Sequence, residues 1–417
     1  MGRRRRITLI ILMVMMFLMT GCTSWKNKTS QLTKDEKVED FNYLYSVIEE
    51  NYPYLEVNKR QNNVDWLSKK EEYLTMVKNS KNDQEFLEAL EKILSELNNG
   101  HTDMFEDTTR FKWYREVYTM GDGWQHRLML DVLNNEKALK RYEVDKDEVV
   151  EPKSQEADEK KEDLNNASAQ DVIEGKIGYI SIHQMLSDYK MDKDISLLDS
   201  YINKIRDYQA LVIDIRGNGG GDSRYWSAYL IPKLIDKPHT ASYYTFWRDG
   251  DAVNKFIRES GVSFDGGFGE ISSLDLSVFK NLPEEVSSKF RYYDKFSTTV
   301  IPGSDSVKFR GNIYLLVDRC VFSSSEALAS FAKESGIATL IGERTGGDGI
   351  GQDPLLQMLP NSGYVFRFPA DMGVTSDGTC NEEFKTLPDY EVENPEKTKN
   401  MDEDNCIKKV LELEEIN

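Results

Sequence analysis

Histidine and cysteine are both scarce, at four each in 417 residues. Cysteines scattered as Cys22, Cys320, Cys380 and Cys406 exclude a disulfide-stapled scaffold, and no Cys-x-x-Cys spacing points to a zinc ribbon. The histidines, His101, His126, His183 and His239, offer no His-Glu-x-x-His spacing, so the sequence asks for no metal or other cofactor. Any chemistry that needs an imidazole therefore has four suspects. Basic residues are also in the minority, 53 against 72 acids, for a formal charge of -19. That balance excludes a nucleic-acid partner, which requires a basic face. The longest nearly uninterrupted apolar run, Ile7 to Met19, has 13 residues. At about 1.5 Å per residue it falls short of a ~30 Å hydrocarbon core.

What is there begins with Arg3 to Arg6 directly before that run, the layout of a signal peptide over residues 1–21. The run ends Leu18-Met19-Thr20-Gly21-Cys22, which resembles a bacterial lipobox. The resemblance implies that Cys22 is lipidated and becomes the mature N-terminus. The expected location is the outer face of the cell membrane, held by acyl chains rather than by basic residues. Loss of the four arginines would take the charge from -19 to -23. Residues 22–35 read as a polar tether.

Residues 36–103 carry helical periodicity. Val38, Phe41, Leu44, Tyr45 and Ile48 form one stripe, followed by a second helix over 64–77. A third, opening at Asn82-Asp83, presents Phe86, Leu90, Ile93, Leu94 and Leu97, and Asn99-Gly100 reads as its left-handed cap. Residues 104–174 are mixed. Their aromatic part, 105–140, has no clear period, and Asp145 to Asp163, with nine acids and four lysines, reads as a solvated linker. From 175 to 395 strands and helices alternate, so the fold class is α/β (α+β). Strands are expected at 176–182, 210–215, 311–317, 337–341 and 363–368, with helices at 197–208, 227–235 and 324–333. Residues 240–305 look like an insertion lying over this core, and 396–417 like a terminal helix and tail.

Three constellations could carry chemistry. Asp214-Ile-Arg-Gly-Asn-Gly-Gly-Gly-Asp222 follows a buried strand and would turn backbone N–H groups toward a ligand; the bland reading is a tight turn. Cys320-Val-Phe-Ser-Ser-Ser-Glu326 lies between strand and helix. There Ser323 with Glu326 fits a capping box, and the same place suits a nucleophile at the positive end of a helix. Asn99-Gly-His101-Thr-Asp103 puts an imidazole on a loop.

Together, and in this order, these blocks resemble the tail-specific, or C-terminal-processing, serine proteases. Ile341-Gly-Glu-Arg-Thr-Gly-Gly347 and Leu387-Pro388-Asp389 extend the match. The resemblance implies a crotonase/protease-like spiral core behind a small helical domain. Many members pair the serine with a lysine in the Gly-rich turn, but here that turn reads Gly346-Gly-Asp348-Gly-Ile-Gly351 and holds none. Nor is a peptide-binding PDZ module evident. The chain is instead similar to the tricorn-like branch, which uses a histidine and a late glutamate. By that resemblance Ser323 is the nucleophile (before Ser324 and Ser325), His101 the base and Glu382 the orienting acid, with Glu383 the runner-up. Backbone N–H groups of Gly219 or Gly220 and of Ser324 would form the oxyanion hole.

The activity this implies is a serine endopeptidase acting on peptides or unfolded chain ends, bound in extended form along a sheet edge. Its partners would be a peptide or protein substrate and the membrane. The rival reading is a catalytically silent binding lipoprotein on the same fold; a third is a non-peptidase hydrolase with the same triad. Of the remaining histidines, His126 and His239 read as surface residues, and His183 could face the cleft. A disulfide between Cys320 and Cys380 is an open possibility.

Overall fold

The computed structural model describes residues 31–121, 123–147, 165–261 and 268–416. The leader, Cys22 and most of Asp145 to Asp163 lie outside the described residues.

The chain opens with α1 (Lys34–Asn51), α2 (Leu55–Asn62), α3 (Lys70–Asn79) and α4 (Asp83–Ser95). Thr33 starts α1 with a capping box: its side chain accepts from the Glu36 N–H, and Glu36 reaches back to the Thr33 N–H. The helix expected at 64–77 is a short 3₁₀ turn over Leu67–Lys69 leading into α3, and α2 precedes it as a separate helix. Asn63 adopts the left-handed conformation (φ 56) that ends α2, a turn the apolar spacing did not reveal.

Next come β1 (Asp103–Met104), α5 (Thr108–Thr119), α6 (Trp124–Leu133) and α7 (Glu136–Arg141). The segment without a clear period is thus helical. The buried face of α5 is Phe111, Arg115 and Tyr118. A buried arginine at the middle position, donating to Asn134 Oδ1 and the Lys146 carbonyl, hides the helical period from a hydrophobicity reading.

The remaining elements are β2 (Ala167–Ile173), β3 (Ile177–Ile182), α8 (Asp192–Lys204), β4 (Ala210–Asp214), α9 (Ile231–Leu234), β5 (His239–Trp247), α10 (Asp251–Gly261), β6 (Gly269–Glu270), α11 (Val286–Lys289) and β7 (Tyr292–Val300). They continue as β8 (Asn312–Val317), α12 (Ser324–Ser335), β9 (Thr339–Gly342), β10 (Leu355–Met358), β11 (Val365–Phe368), β12 (Asp371–Thr375), α13 (Asn381–Phe384), β13 (Tyr390–Glu391) and α14 (Asn405–Leu413). Before α9, residues Tyr225–Leu230 form a π-helical turn. This is a mixed α/β protein.

Its central sheet has six strands in the order β13-β9-β8-β4-β3-β2, parallel except for the β2–β3 pair. Both faces are covered. Leu211, Ile213, Leu315 and Val317 pack into one apolar cluster, while Ala210, Val212, Tyr314 and Leu316 pack with Ile407 and Val410 of α14 in another. This is why β4 reads as a continuous apolar run. The carboxyl ends of β4 and β8 feed the two turns that carry Gly219 and Ser323, the usual place for a ligand crevice in such sheets.

Residues 239–300 do more than cover the core. β5 and β7 pair antiparallel, and with β12 and β6 they form a four-stranded sheet in the order β12-β5-β7-β6. Phe246, Trp247, Val253 and Phe256 of this stretch share one apolar cluster with Phe41, Ile48 and Phe86 of the helical region. A third sheet, β1-β11-β10, ties the residues just after His101 to the late strands.

Candidate active site

Asp214-Ile-Arg216 at the start of the Gly-rich turn is structural. Arg216 is buried, donating Nη2 to Asp214 Oδ2 (2.7 Å) and to Asp404 Oδ2 (2.8 Å), the N-cap of α14. The motif therefore pins the terminal helix beneath the turn. Beyond it, Asn218 Oδ1 accepts the Gly220 N–H (3.0 Å) and the Ser325 hydroxyl (2.6 Å). Gly220 sits at φ 103, and a Cβ there would stand 2.8 Å from Ser323 Cβ and 2.7 Å from the Phe322 carbonyl. Only glycine lets the two turns touch this closely.

Ser323 immediately precedes α12 but does not cap it. Its backbone lies at φ 57, ψ -125, a sparsely populated region for a non-glycine residue, and its side chain makes no capping bond. Its N–H donates to the Gly347 carbonyl (3.2 Å), and its carbonyl accepts the Ala327 N–H (2.8 Å). The capping-box expectation is therefore corrected: Glu326 points away from Ser323 into the interior. There its Oε1 accepts from Asn381 Nδ2 (2.6 Å) and Thr386 Oγ1 (2.7 Å). Its Oε2 has no partner, and burial pushes its carboxyl up to about 7.

His101 follows α4. The left-handed residue at that helix end is Asn98 (φ 53), not the expected Asn99-Gly100 pair. Gly100 instead leaves room for the Phe322 ring, which a Cβ there would meet at 2.9 Å. Arg367 of β11 holds this loop through Asp103 (Nε to Oδ1, 3.0 Å) and the Gly100 carbonyl (3.2 Å). The imidazole packs on Phe322 with ring centroids 4.6 Å apart. Its Nε2 then lies 3.1 Å from Ser323 Oγ, across 222 positions of sequence.

The other ring nitrogen faces a residue that the sequence reading set aside. His101 Nδ1 is 2.8 Å from Asp348 Oδ2. The expected Glu382 does not face the ring: its Oε1 accepts from Asn99 Nδ2 (3.1 Å) and its Oε2 from Lys385 Nζ (2.7 Å). Glu383, the runner-up, points elsewhere, into a fork with Arg60. The reason lies in the loop after β9. Asp348 takes a left-handed conformation (φ 52) between glycines, and the Gly349 N–H donates to Asn381 Oδ1 (2.8 Å), which turns the carboxylate toward His101. The signal in the sequence was its place, an acid in the Gly-rich turn where the resemblance leads one to look for a lysine.

Burial works to raise the Asp348 pKa, but the charge and hydrogen bond of His101, with Asn99 and Lys385, outweigh it and hold the carboxyl below its ordinary value. Burial and then the charge of Asp348 push the Glu382 carboxyl up, against Lys385 and Asn99. Two neighbouring acids are thereby driven apart, one toward the charged and one toward the neutral form.

Of the expected oxyanion donors, the N–H groups of Gly219 and Ser324 have no acceptor among the described residues, whereas that of Gly220 is already spent on Asn218. The Ser324 hydroxyl is buried without a partner, and the Ser325 hydroxyl is spent on Asn218. His183 is exposed, and His239 is partly buried at the start of β5. His126, partly buried against Tyr118, departs from the surface expectation as His239 does. Cys320 is exposed, Cys380 is buried, and neither is paired. No metal-ligating cluster occurs among the described residues.

Residues 176–392 match Peptidase family S41. Among solved structures the chain is similar to a putative peptidase from Parabacteroides merdae ATCC 43184 at 18% identity, covering 90% of this chain and 96% of that one, with a TM-score of 0.55. It is also similar to mature CPAF at 12% identity, covering 86% and 92%, with a TM-score of 0.52. CPAF complexed with lactacystin aligns equally well, at 14% identity over 86% and 94% with a TM-score of 0.52. At these identities the likeness is one of fold. No match is found among curated proteins.

Proposed function

The chain belongs to peptidase family S41, and from that membership we propose that it is a serine endopeptidase with Ser323 as nucleophile, His101 as general base and Asp348 as orienting acid. The observation that carries this reading is the continuous line from Ser323 Oγ through His101 to Asp348, at 3.1 and 2.8 Å.

The chemistry follows from the geometry. As Ser323 Oγ attacks the scissile carbonyl carbon, His101 Nε2 takes its proton. Asp348, held in its anionic form, selects the tautomer with hydrogen on Nδ1 and stabilises the imidazolium that forms. The carbonyl oxygen becomes an oxyanion, which the free N–H groups of Gly219 and Ser324 are available to receive at the positive end of α12. His101 then gives the proton to the leaving amine and the C–N bond breaks. Water, deprotonated by the same imidazole, hydrolyses the acyl ester and restores Ser323.

The substrate in this reading is a peptide or an unfolded stretch of protein. We propose further that the protein is exported and lipid-anchored through Cys22; Cys22→Ala would then leave it unacylated and move it from the membrane to the soluble fraction.

A fluorophosphonate probe and a mixed peptide library, applied to the full chain, test the activity. Covalent labelling at Ser323 together with internal cleavage of peptides supports the proposal. No labelling and no cleavage sinks it and leaves the ligand-binding alternative. Labelling with cleavage of esters alone points to a different hydrolase.

A further inference from the structure

Asn99 is buried in the last turn before His101, and its carboxamide has all its bonding capacity engaged in one place. Its Nδ2 donates to Asp348 Oδ2 (2.8 Å) and to Glu382 Oε1 (3.1 Å). Its Oδ1 accepts the His101 backbone N–H (2.9 Å) and the Thr102 hydroxyl (3.0 Å). The reverse amide orientation would turn an oxygen toward two carboxyl groups, so this set of partners is self-consistent. Asp348 Oδ2 accepts from Asn99 and from His101 Nδ1 together. Glu382 is held from its other side by Lys385.

We propose that Asn99 is a positioning residue that joins Glu382 to the His101–Asp348 pair, making Glu382 a second, switchable negative charge behind the imidazole. The proposal rests on the triad reading above. Aligned by Asn99, Asp348 meets Nδ1 in line, and a small misplacement there is amplified in rate. The groups facing Glu382 are Asp348, Lys385, Tyr52, Tyr54 and Cys380. Those facing the imidazole are Asp348 and, from the loop before β10, Asp353. Lys385 is the cation that balances Glu382 when it ionises. Burial and the Asp348 charge favour its neutral form, so its ionisation adds a second negative charge behind the His101–Asp348 pair. An ionised Glu382 favours the imidazolium form during the reaction, and the acidic limb of the rate profile is broadened.

The test is kcat and KM against pH for the full chain, on a peptide it cleaves, in the wild type, Asn99→Ala, Glu382→Gln and Asp348→Asn. Asn99→Ala is expected to lower kcat by about 10–100-fold with KM changed less than about twofold. Glu382→Gln keeps the acceptor for Asn99 and loses the charge together with the bond from Lys385. Its kcat is expected to fall less than about fivefold, while its acidic limb sharpens to a single ionisation at lower pH. An acidic limb unchanged in shape and midpoint in Glu382→Gln overturns the proposal, whether or not Asn99→Ala folds. Asp348→Asn separates the two levels: full activity in that variant would overturn the triad itself. Loss of activity there, with a wild-type pH profile in Glu382→Gln, overturns only the role of Asn99 and Glu382.

Discussion

His101 Nδ1 and Asp348 Oδ2 meet at 2.8 Å although 247 positions separate them in the chain. The contact needs α4 to end where it does, Arg367 to hold the loop, and the turn after β9 to place an acid at positive φ. Asparagine tolerates the left-handed region as well as aspartate does, so Asp348→Asn removes the charge without straining the backbone. In the proposed triad it loses the acceptor that selects the working tautomer. The expected result is a fall in kcat of about 10³–10⁴-fold with KM little changed and a melting temperature within a few degrees of wild type. Steady-state kinetics and thermal denaturation on the same preparation check both halves.

Gly220 makes a separate prediction because its role is contact. At φ 103, with backbone and Ser323 atoms under 3 Å from any Cβ, Gly220→Ala cannot be absorbed by rotating a flexible side chain. The strained backbone alone costs on the order of 1–3 kcal/mol. Relieving the clash would push Ser323 off its line to His101. Fluorophosphonate labelling is expected to fall by at least about 100-fold while the protein stays folded. Labelling at the wild-type rate would mean that the two turns do not need their close approach.

How much of this was legible in sequence depends on how local each feature is. β4 and the helix after Ser323 were readable because burial on both sides of a sheet leaves a continuous apolar run, and α12 carries its own stripe. The meeting of Ser323 with His101 was readable as two blocks of one resemblance. Which acid faces the imidazole was not, because the direction of Asp348 and Glu382 is set by non-local bonds, Asn381 to Gly349 and Asn99 to Glu382. The same holds for Glu326, whose spacing from Ser323 fits a cap. Its carboxyl instead satisfies Asn381 and Thr386, about 60 residues away. The helix over 108–119 was hidden by a buried, hydrogen-bonded arginine standing where an apolar residue would mark the period.

Arg60 of α2 forks between Glu285 (Nη2 to Oε1, 2.8 Å) and Glu383 (Nε to Oε1, 2.8 Å), joining the helical region to the segment before α11 and to α13. Both acids are nearly buried, with side-chain exposures of 6% and 10%, while the arginine side chain is 41% exposed. Arg60→Ala leaves two buried carboxylates facing each other without a cation. Screening at the exposed arginine side chain lowers the cost below that of a fully buried pair, to about 1–3 kcal/mol. Arg60→Lys should recover little, because an ammonium cannot bond two carboxylates in paired fashion. Urea denaturation of the three proteins would show the order wild type, lysine, alanine; equal stability of all three would make the fork ornamental.

Glu326 gives a prediction whose sign depends on pH. Its folded pKa is raised from 4.5 to about 7 by burial, outweighing the bonds from Thr345, Thr386 and Asn381. A raised carboxyl pKa means that the folded state holds a proton which the unfolded chain releases near 4.5. The wild type therefore suffers no penalty below pH 4.5, a growing one as pH climbs toward 7, and the full one above. Glu326→Gln never ionises and keeps an oxygen for Asn381 and Thr386. At pH 8 it is expected to be more stable than the wild type by up to about 3 kcal/mol, less whatever its amide loses by standing at the unpartnered Oε2 position. At pH 4 that advantage disappears. Thermal melts across this range decide it: a variant less stable than the wild type at pH 8 would mean that Glu326 is charged in the fold, with its negative charge stabilised at the amino end of α12.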